Sequence, residues 1–345
     1  MIKNFFSILF VIISAALLVN CTGLSPKSSA SPSYEIRAAM DIGSGSTNLK
    51  VAEVDMTTNK VIKVIFEDSK IVPYQKHLEK SPSSLFDKEV MDLGIKAIKD
   101  LKSEALQHGA KKVVAVATAA FRSAKNAPEF ADQIRRETGI DLYIIDQKVE
   151  GQIAFTAALS KSESKEGDVV VWDIGGGSFQ LTAVDQHHEF IVSRGHFASE
   201  PFKKFIITMI QGSDINTVNS PNPMNKENID MALTKSMQVA QETDPFIINK
   251  IKESKTKVLA VGNLFYFGIR KLADDKPVIS QEDLQLAIDK MQGKSDEQLG
   301  GAYPDVRVSN AILVLGFMKE LNISHMEILD INNADGVLTT EAYWK

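Results

Sequence analysis

Apolar and polar positions along this chain follow two rhythms, and the whole sequence of rhythms is played twice. Across residues 36–66 apolar residues alternate with polar ones and are interrupted at Gly43-Ser44-Gly45 and at Thr57-Thr58-Asn59-Lys60, which predicts a three-strand meander. Val90, Leu93, Ile98 and Leu101 then fall at helical spacing within residues 85–107, and His108-Gly109 supplies the stop. A buried strand at 113–118, a helix at 128–138, a strand at 142–145 and a helix at 150–159 complete a βββαβαβα half. The second half restarts at 169–172 and repeats the meander through 180–184 and 190–193. Helices are expected at 201–211, 226–251, 280–291 and 308–321, with strands at 258–261 and 326–331 and an Asn, Ser and Pro-rich loop at 216–225. Strands alternating with helices in two similar halves predict two α/β domains with mixed sheets, at 36–148 and 149–345, and a ligand cleft between them.

The repeat extends to a phrase. Asp41-Ile42-Gly43-Ser44-Gly45-Ser46-Thr47-Asn48-Leu49 recurs as Asp173-Ile174-Gly175-Gly176-Gly177-Ser178-Phe179-Gln180-Leu181, about 130 residues later, a domain-sized interval. Each copy reads as a strand, a glycine turn and a returning strand. Glycine lets the backbone approach a ligand closely, and successive N–H groups in such turns form anion sites. Ser44, Ser46 and Ser178 add hydroxyl donors, while Asp41 and Asp173 stand at strand ends where a carboxylate can hold Mg²⁺ or its water. One such turn would be an ordinary hairpin; two that share an Asp, two glycines and a serine point to phosphate.

Composition narrows the ligand. With 345 residues, 44% hydrophobic and 24% charged, the chain can bury ordinary cores in two domains. A formal net charge of -5 argues against nucleic acid, which needs a basic surface, so a polyanion would be held by a local site. His187-His188 reads as a solvated turn, with no third residue spaced to complete a metal site.

The first 35 residues are set apart. Lys3 precedes an apolar run at 5–19, broken only by Ser7 and Ser14, of signal-peptide length. It ends at Leu18-Val19-Asn20-Cys21, which resembles a bacterial lipobox, with Asn20 bulkier than the usual small residue. Cys21 is the only cysteine. The expectation is a signal peptide at 1–20, lipidation at Cys21, and a Ser/Pro-rich tether at 21–35 that holds the domains on a membrane of the bacterial cell envelope. An uncleaved signal anchor is the alternative.

Several further segments carry a resemblance to a family. Ala117-Thr118-Ala119-Ala120-Phe121-Arg122-Ser123-Ala124-Lys125-Asn126 is similar to the Ala-Thr-Ser-Ala-x-Arg-x-Ala-x-Asn segment of the exopolyphosphatase/guanosine pentaphosphate phosphohydrolase (Ppx/GppA) group, within the actin, Hsp70 and sugar-kinase superfamily. Residues 39–46 and 172–178 resemble its two phosphate loops, Glu150-Gly151-Gln152 its catalytic glutamate, residues 195–200 the following loop, and residues 315–338 its closing helix, strand and Gly-Val-Leu. The resemblance implies two RNase H-like (actin-like ATPase) domains with mixed sheets and an interdomain cleft. It implies hydrolysis of phosphoanhydride bonds in polyphosphate or guanosine pentaphosphate with Mg²⁺ or another divalent cation. Glu150 would orient or deprotonate water and Arg122 would pair with phosphate oxygens. Gly43, Ser44, Gly45, Ser46, Gly175, Gly176, Gly177 and Ser178 would bind phosphate, and Asp173, Asp41 and Gln180 would hold the metal. A homodimer is compatible with the family.

Departures bear on activity. Gln180 stands where the family commonly has Glu, Gly262-Asn263-Leu264 replaces Gly-Gly-Thr, Asn333-Ala334-Asp335 replaces a Leu-Arg-Glu type triplet, and Gly45 replaces Asn. Longer members continue past the equivalent of Lys345, so a short form is expected to be less processive. The rival reading is a polyphosphate- or nucleotide-binding and sensing lipoprotein with weak turnover. A kinase or ATPase of the wider superfamily fits residues 117–126 less well.

Overall fold

In a computed structural model that describes residues 34–345, the two rhythms become two sheets. The first half runs β1 (Tyr34–Ile42), β2 (Ser46–Asp55), β3 (Lys60–Ile71), α1 (Tyr74–Glu79), α2 (Lys88–Gln107), β4 (Val113–Ala117), α3 (Ala119–Ser123), α4 (Ala127–Thr138) and β5 (Asp141–Ile144). Helix α5 (Gln147–Lys161) leads into β6 (Val169–Ile174), β7 (Phe179–Val184), β8 (Phe190–Gly195), α6 (Ser199–Phe205), α7 (Lys226–Ala240), α8 (Pro245–Ile251) and β9 (Lys257–Val261). The chain closes with α9 (Arg270–Leu272), β10 (Val278–Ser280), α10 (Gln281–Met291), α11 (Asp296–Leu299), α12 (Pro304–Glu320), β11 (His325–Ile328) and α13 (Asn333–Thr339).

The sheet orders are β3-β2-β1-β4-β5 and β10-β11-β9-β6-β7-β8. In each, a meander pairs antiparallel and its first strand continues into parallel neighbours, β4 and β5 or β9 and β11. The register repeats as well: Asp41 lies opposite Asn48, and Asp173 opposite Gln180.

Two expected elements differ and helix α13 was not expected, each for a local reason. The single helix expected at 226–251 is two, because Pro245 offers no N–H and Asp244 caps a fresh helix by accepting from the Phe246 N–H. The helix expected at 201–211 ends in a π-helical turn, Ile206–Ile210, and a second π turn, Leu264–Ile269, follows β9. Helix α13 was hidden by its brevity, although Asn332 and Asp335 form a reciprocal cap at its start.

α5 explains how the halves are joined. Its Ile153 packs with Ala39, Val114 and Val337 against the first sheet, while Ala154, Phe155 and Ala158 pack with Val169, Val171 and Leu259 against the second. A helix apolar on both sides is what two opposed sheets require. Helix α13 returns to the first sheet, so its residues lie there although the expected boundary assigned 149–345 to the second domain. Beyond it, the Trp344 indole donates to the Val337 carbonyl at 2.8 Å and stacks under the Arg37 guanidinium, 4.9 Å from its ring centre.

Gly336 sets the closeness of α13 to α5, since a Cβ there would lie 2.5 Å from the Ile153 carbonyl oxygen. Gly336→Ala is expected to destabilise by about 1–3 kcal/mol through overpacking, measured as a lowered thermal midpoint. An unchanged midpoint would mean that the α5–α13 contact has slack.

Candidate functional site

The two glycine turns have the same construction. The Gly43 N–H donates to the Ser46 carbonyl at 2.9 Å, and the Gly175 N–H to the Ser178 carbonyl at 2.8 Å. They face each other closely: a Cβ built on Gly176 would stand 2.6 Å from Ser44 Cβ, and one on Gly177 3.3 Å from Ser44 Oγ. The carbonyls of Ser44, Gly45, Gly175 and Gly176 accept from the backbone N–H groups of Gln75, Val72, Ser199 and Glu200. By contrast, the N–H groups of Ser44, Gly45, Gly176 and Gly177 find no acceptor among the described residues. Turns that bind their carbonyls and leave their N–H groups free are suited to an anion.

Strand periodicity aims the acids. Met40 and Ile42 enter the core beneath α2 and α4, whereas Ala39 faces the core shared with α5 and α13. Alternation therefore turns Asp41 toward α5. In β6, Trp172 and Ile174 face α7 and α12 while Val171 faces α5, so Asp173 turns the same way. Glu150 lies in the first turn of α5, whose start is capped by Asp146 accepting from the Val149 N–H at 2.8 Å.

Arg122, placed by the short α3 after β4, ties these parts together. Its Nη1 donates to Glu150 Oε2 at 2.7 Å and to the Ile145 carbonyl at 3.0 Å, and its Nη2 donates to Ser178 Oγ at 3.0 Å. Gln180 Nε2 also donates to Glu150 Oε2, at 3.2 Å, and to Ser178 Oγ at 3.4 Å. Both donors meet Oε2, and no donor among the described residues reaches Oε1, which leaves that oxygen for a water. Burial raises the Glu150 carboxyl above its ordinary range even though Arg122 opposes it.

The same burial acts on the aspartates. It pushes Asp41 up to about 7, with the nearby Glu150 charge adding to the effect and hydrogen bonds from Asn333 opposing it. Asp173 is raised well above its usual value by burial and then by Glu150 and Asp41. Room for Asp173 comes from Gly262, at φ 94°, where a Cβ would stand 2.6 Å from Asp173 Oδ1.

This donor set fits a hard cation of the Mg²⁺ type. Among the described residues no three His, Cys, Asp or Glu side chains converge as a complete metal site. Mg²⁺, however, keeps several waters and is held by one or two carboxylates together with substrate phosphates. Asp41 and Asp173 could offer the carboxylates, and Gln180 Oε1, buried and without a hydrogen-bond partner, could offer an amide oxygen. Leaving that oxygen unpaired costs roughly 1–3 kcal/mol, which a ligand would relieve.

Asp41, Asp173, Glu150, Arg122, Ser178 and Gln180 are therefore gathered in one place. Ser46 instead donates to Asn48 Oδ1 at 3.3 Å, and Asn263 reaches the same oxygen at 3.4 Å from the other half. His188 is exposed in a turn at φ 63°. Cys21 and the expected signal peptide and tether up to residue 33 lie outside the described residues. Asn48, Gly262 and Asn333 were not expected as site residues; the available signal for the first was that Asn48 takes the place of Gln180 in the repeated phrase.

Residues 50–196 match the model of the Ppx/GppA phosphatase family. That stretch includes Arg122, Glu150, Asp173, Ser178 and Gln180, whereas Asp41 and the first turn precede it. The bifunctional 3-dehydroquinate synthase/phosphatase of Fusobacterium nucleatum is 28% identical over 43% of this chain and 23% of its own length. Exopolyphosphatase 1 of Mycobacterium tuberculosis is 30% identical over 32% of this chain and 33% of its own. The chain thus spans only a quarter to a third of these curated relatives. An exopolyphosphatase from Cytophaga hutchinsonii shares the fold over 89% of this chain and 97% of its own, with a TM-score of 0.70 and 17% identity. The expected class, two actin-like α/β domains with mixed sheets, is borne out.

Removing one buried charge tests this electrostatic picture. Asp41 binds its proton more tightly when folded, so its share of stability is full below the ordinary 3.8 and is lost as pH rises to about 7. In cation-free buffer at pH 8, Asp41→Asn is expected to raise the thermal midpoint by a few degrees, about 2–4 °C per kcal/mol relieved, and to leave it unchanged below pH 4. A lowered midpoint at pH 8 would contradict it.

Proposed function

We propose that this protein is a phosphohydrolase that releases terminal phosphate from inorganic polyphosphate, using a divalent cation, Mg²⁺. The observation that carries the reading is the convergence of Glu150, Arg122 and the second glycine turn: one guanidinium bonds both the candidate base and Ser178. Phosphoryl transfer asks for positioning and charge stabilisation more than for covalent catalysis, and the site supplies both. The free N–H groups of the two turns would cradle phosphate oxygens. Arg122 would reach one of them through the Nη2 hydrogen that Ser178 does not take. A water on Glu150 Oε1 attacks the terminal phosphorus and gives its proton to that carboxylate, and the bridging P–O bond breaks with the shortened chain as leaving group. Burial of Glu150 supports this role, because it raises the carboxylate's affinity for the proton. Asp41, Asp173 and Gln180 would hold the cation, whose positive charge offsets charge gathering on the phosphate oxygens.

Polyphosphate is preferred over guanosine pentaphosphate because the N-terminal pattern directs the chain out of the cytoplasm. We take Cys21 as the lipidated residue that anchors it to an envelope membrane, on sequence grounds alone. Cys21→Ala should move the protein from the membrane to the soluble fraction after cell fractionation; persistence in the membrane would favour an uncleaved anchor.

Phosphate release from polyphosphate, guanosine pentaphosphate and ATP in Mg²⁺ separates the readings. Polyphosphate turnover is expected, with kcat reduced about 10²–10⁴-fold in Glu150→Gln. Binding of polyphosphate without any phosphate release would make the chain a sensor, and full turnover in Glu150→Gln would remove the glutamate from the mechanism.

A further inference from the structure

We propose that Asn333, the first residue of α13, is a fourth member of the cation site, adding its amide oxygen to Asp41, Asp173 and Gln180, directly or through a metal-bound water. The proposal rests on the phosphohydrolase reading in that it takes a divalent cation as resident. Asn333 is 8% exposed, and its Nδ2 is directed to Asp41, standing 3.5 Å from Oδ1. Its Oδ1 is buried and has no hydrogen-bond partner.

Gln180 shows the same division. Its Nε2 is engaged by Glu150 and Ser178 while Oε1 is buried and unpartnered. In each amide the nitrogen is fixed on a site residue, which sets the orientation, and the oxygen is left without a donor. Other buried orphans are of a different kind: Trp172 Nε1 is a donor, and the oxygens of Asn222 and Asn310 belong to side chains with no bond to Asp41, Asp173 or Glu150. An ionised carboxylate cannot satisfy an amide oxygen, since both only accept; only a protonated carboxyl could donate to one, and a bound cation would displace that proton. A cation, or water oriented by a cation, satisfies carboxylates and amide oxygens together, and oxygen-only sets of this type suit Mg²⁺ and Mn²⁺.

Helix α13 is held in place without help from the site. Asp335 accepts from Lys50 Nζ at 2.8 Å through both carboxylate oxygens, and Gly336 lies against Ile153. Asn333 is therefore presented to Asp41 before any ligand arrives.

Mn²⁺ binding to the purified full-length protein without substrate, followed by electron paramagnetic resonance and by calorimetry, provides a readout independent of turnover. Asn333→Leu is expected to weaken Mn²⁺ about tenfold or more, and Asn333→Asp to tighten it, while Asp173→Asn abolishes binding. Circular dichroism shows whether the leucine variant has folded; if it has not, the aspartate variant decides. Wild-type affinity in the leucine variant, or weaker binding in a folded aspartate variant, would overturn the role of Asn333 and leave the cation reading standing. No Mn²⁺ binding by the unaltered protein, with or without added polyphosphate, would overturn the cation reading and this inference with it.

Discussion

Three carboxylates, Asp41, Asp173 and Glu150, are buried near one another: the glutamate raises the proton affinity of both aspartates, Asp41 adds to that of Asp173, and a single guanidinium, Arg122, pairs with the glutamate. Bringing like charges out of water is unfavourable unless something compensates, and compensation by one arginine is incomplete. Other features of the centre answer this constraint. Gly262 makes room for one aspartate, Asn333 donates to the other, and Gln180 donates to the glutamate. A site so provided with charge and so short of counter-charge is suited to a cation and to the transfer of a proton.

The duplicated architecture is what brings the acids together. Each sheet on its own offers one aspartate at the end of a strand and one glycine turn beside it. The period of two in the strand fixes which way the aspartate points, and in both sheets that is toward α5. Because α5 is buried against both sheets, its first turn reaches the place where the two aspartates converge. Gly151, the residue after Glu150, lies so close to β7 that a Cβ would stand 2.5 Å from Thr182 Oγ1. The position of Glu150 is therefore set by packing on both sides of its helix.

Much of this was legible in the sequence because it depends on local pattern. The repeated Asp-Ile-Gly phrase located both turns, while Arg122 was located by the resemblance of residues 117–126 to a family segment and not by periodicity. Less legible were contributions made across long separations. Asn333 meets Asp41 at a distance of 292 positions, and Lys50 meets Asp335 at 285. Neither pair leaves a local periodicity, and α13 at seven residues is too short to announce itself by one. The amide at 180 was visible as a departure, but its meaning is spatial: it holds Glu150 Oε2 with one end and leaves the other end bare.

The C-terminal segment shows how far the structure goes to hold α13. Lys50 is 2% exposed at its side chain and bridges Asp335 and Glu67, with Lys161 3.6 Å from the same aspartate. Removing one partner of a buried pair strands the other, at roughly 3–5 kcal/mol, whereas an apolar pair of equal volume would serve stability as well or better. Stability alone therefore does not explain charges at this place. Asp335 also accepts from the Asn332 N–H, so one carboxylate caps the helix and locks it to β2 through Lys50. Arg37, which lies over the Trp344 ring, fastens the far end by donating from Nη1 to the Leu338 carbonyl at 2.9 Å. A helix fixed at both ends, and pressed on α5 through a glycine, has little freedom left in where it sets its first residue. That residue is the one that donates to Asp41.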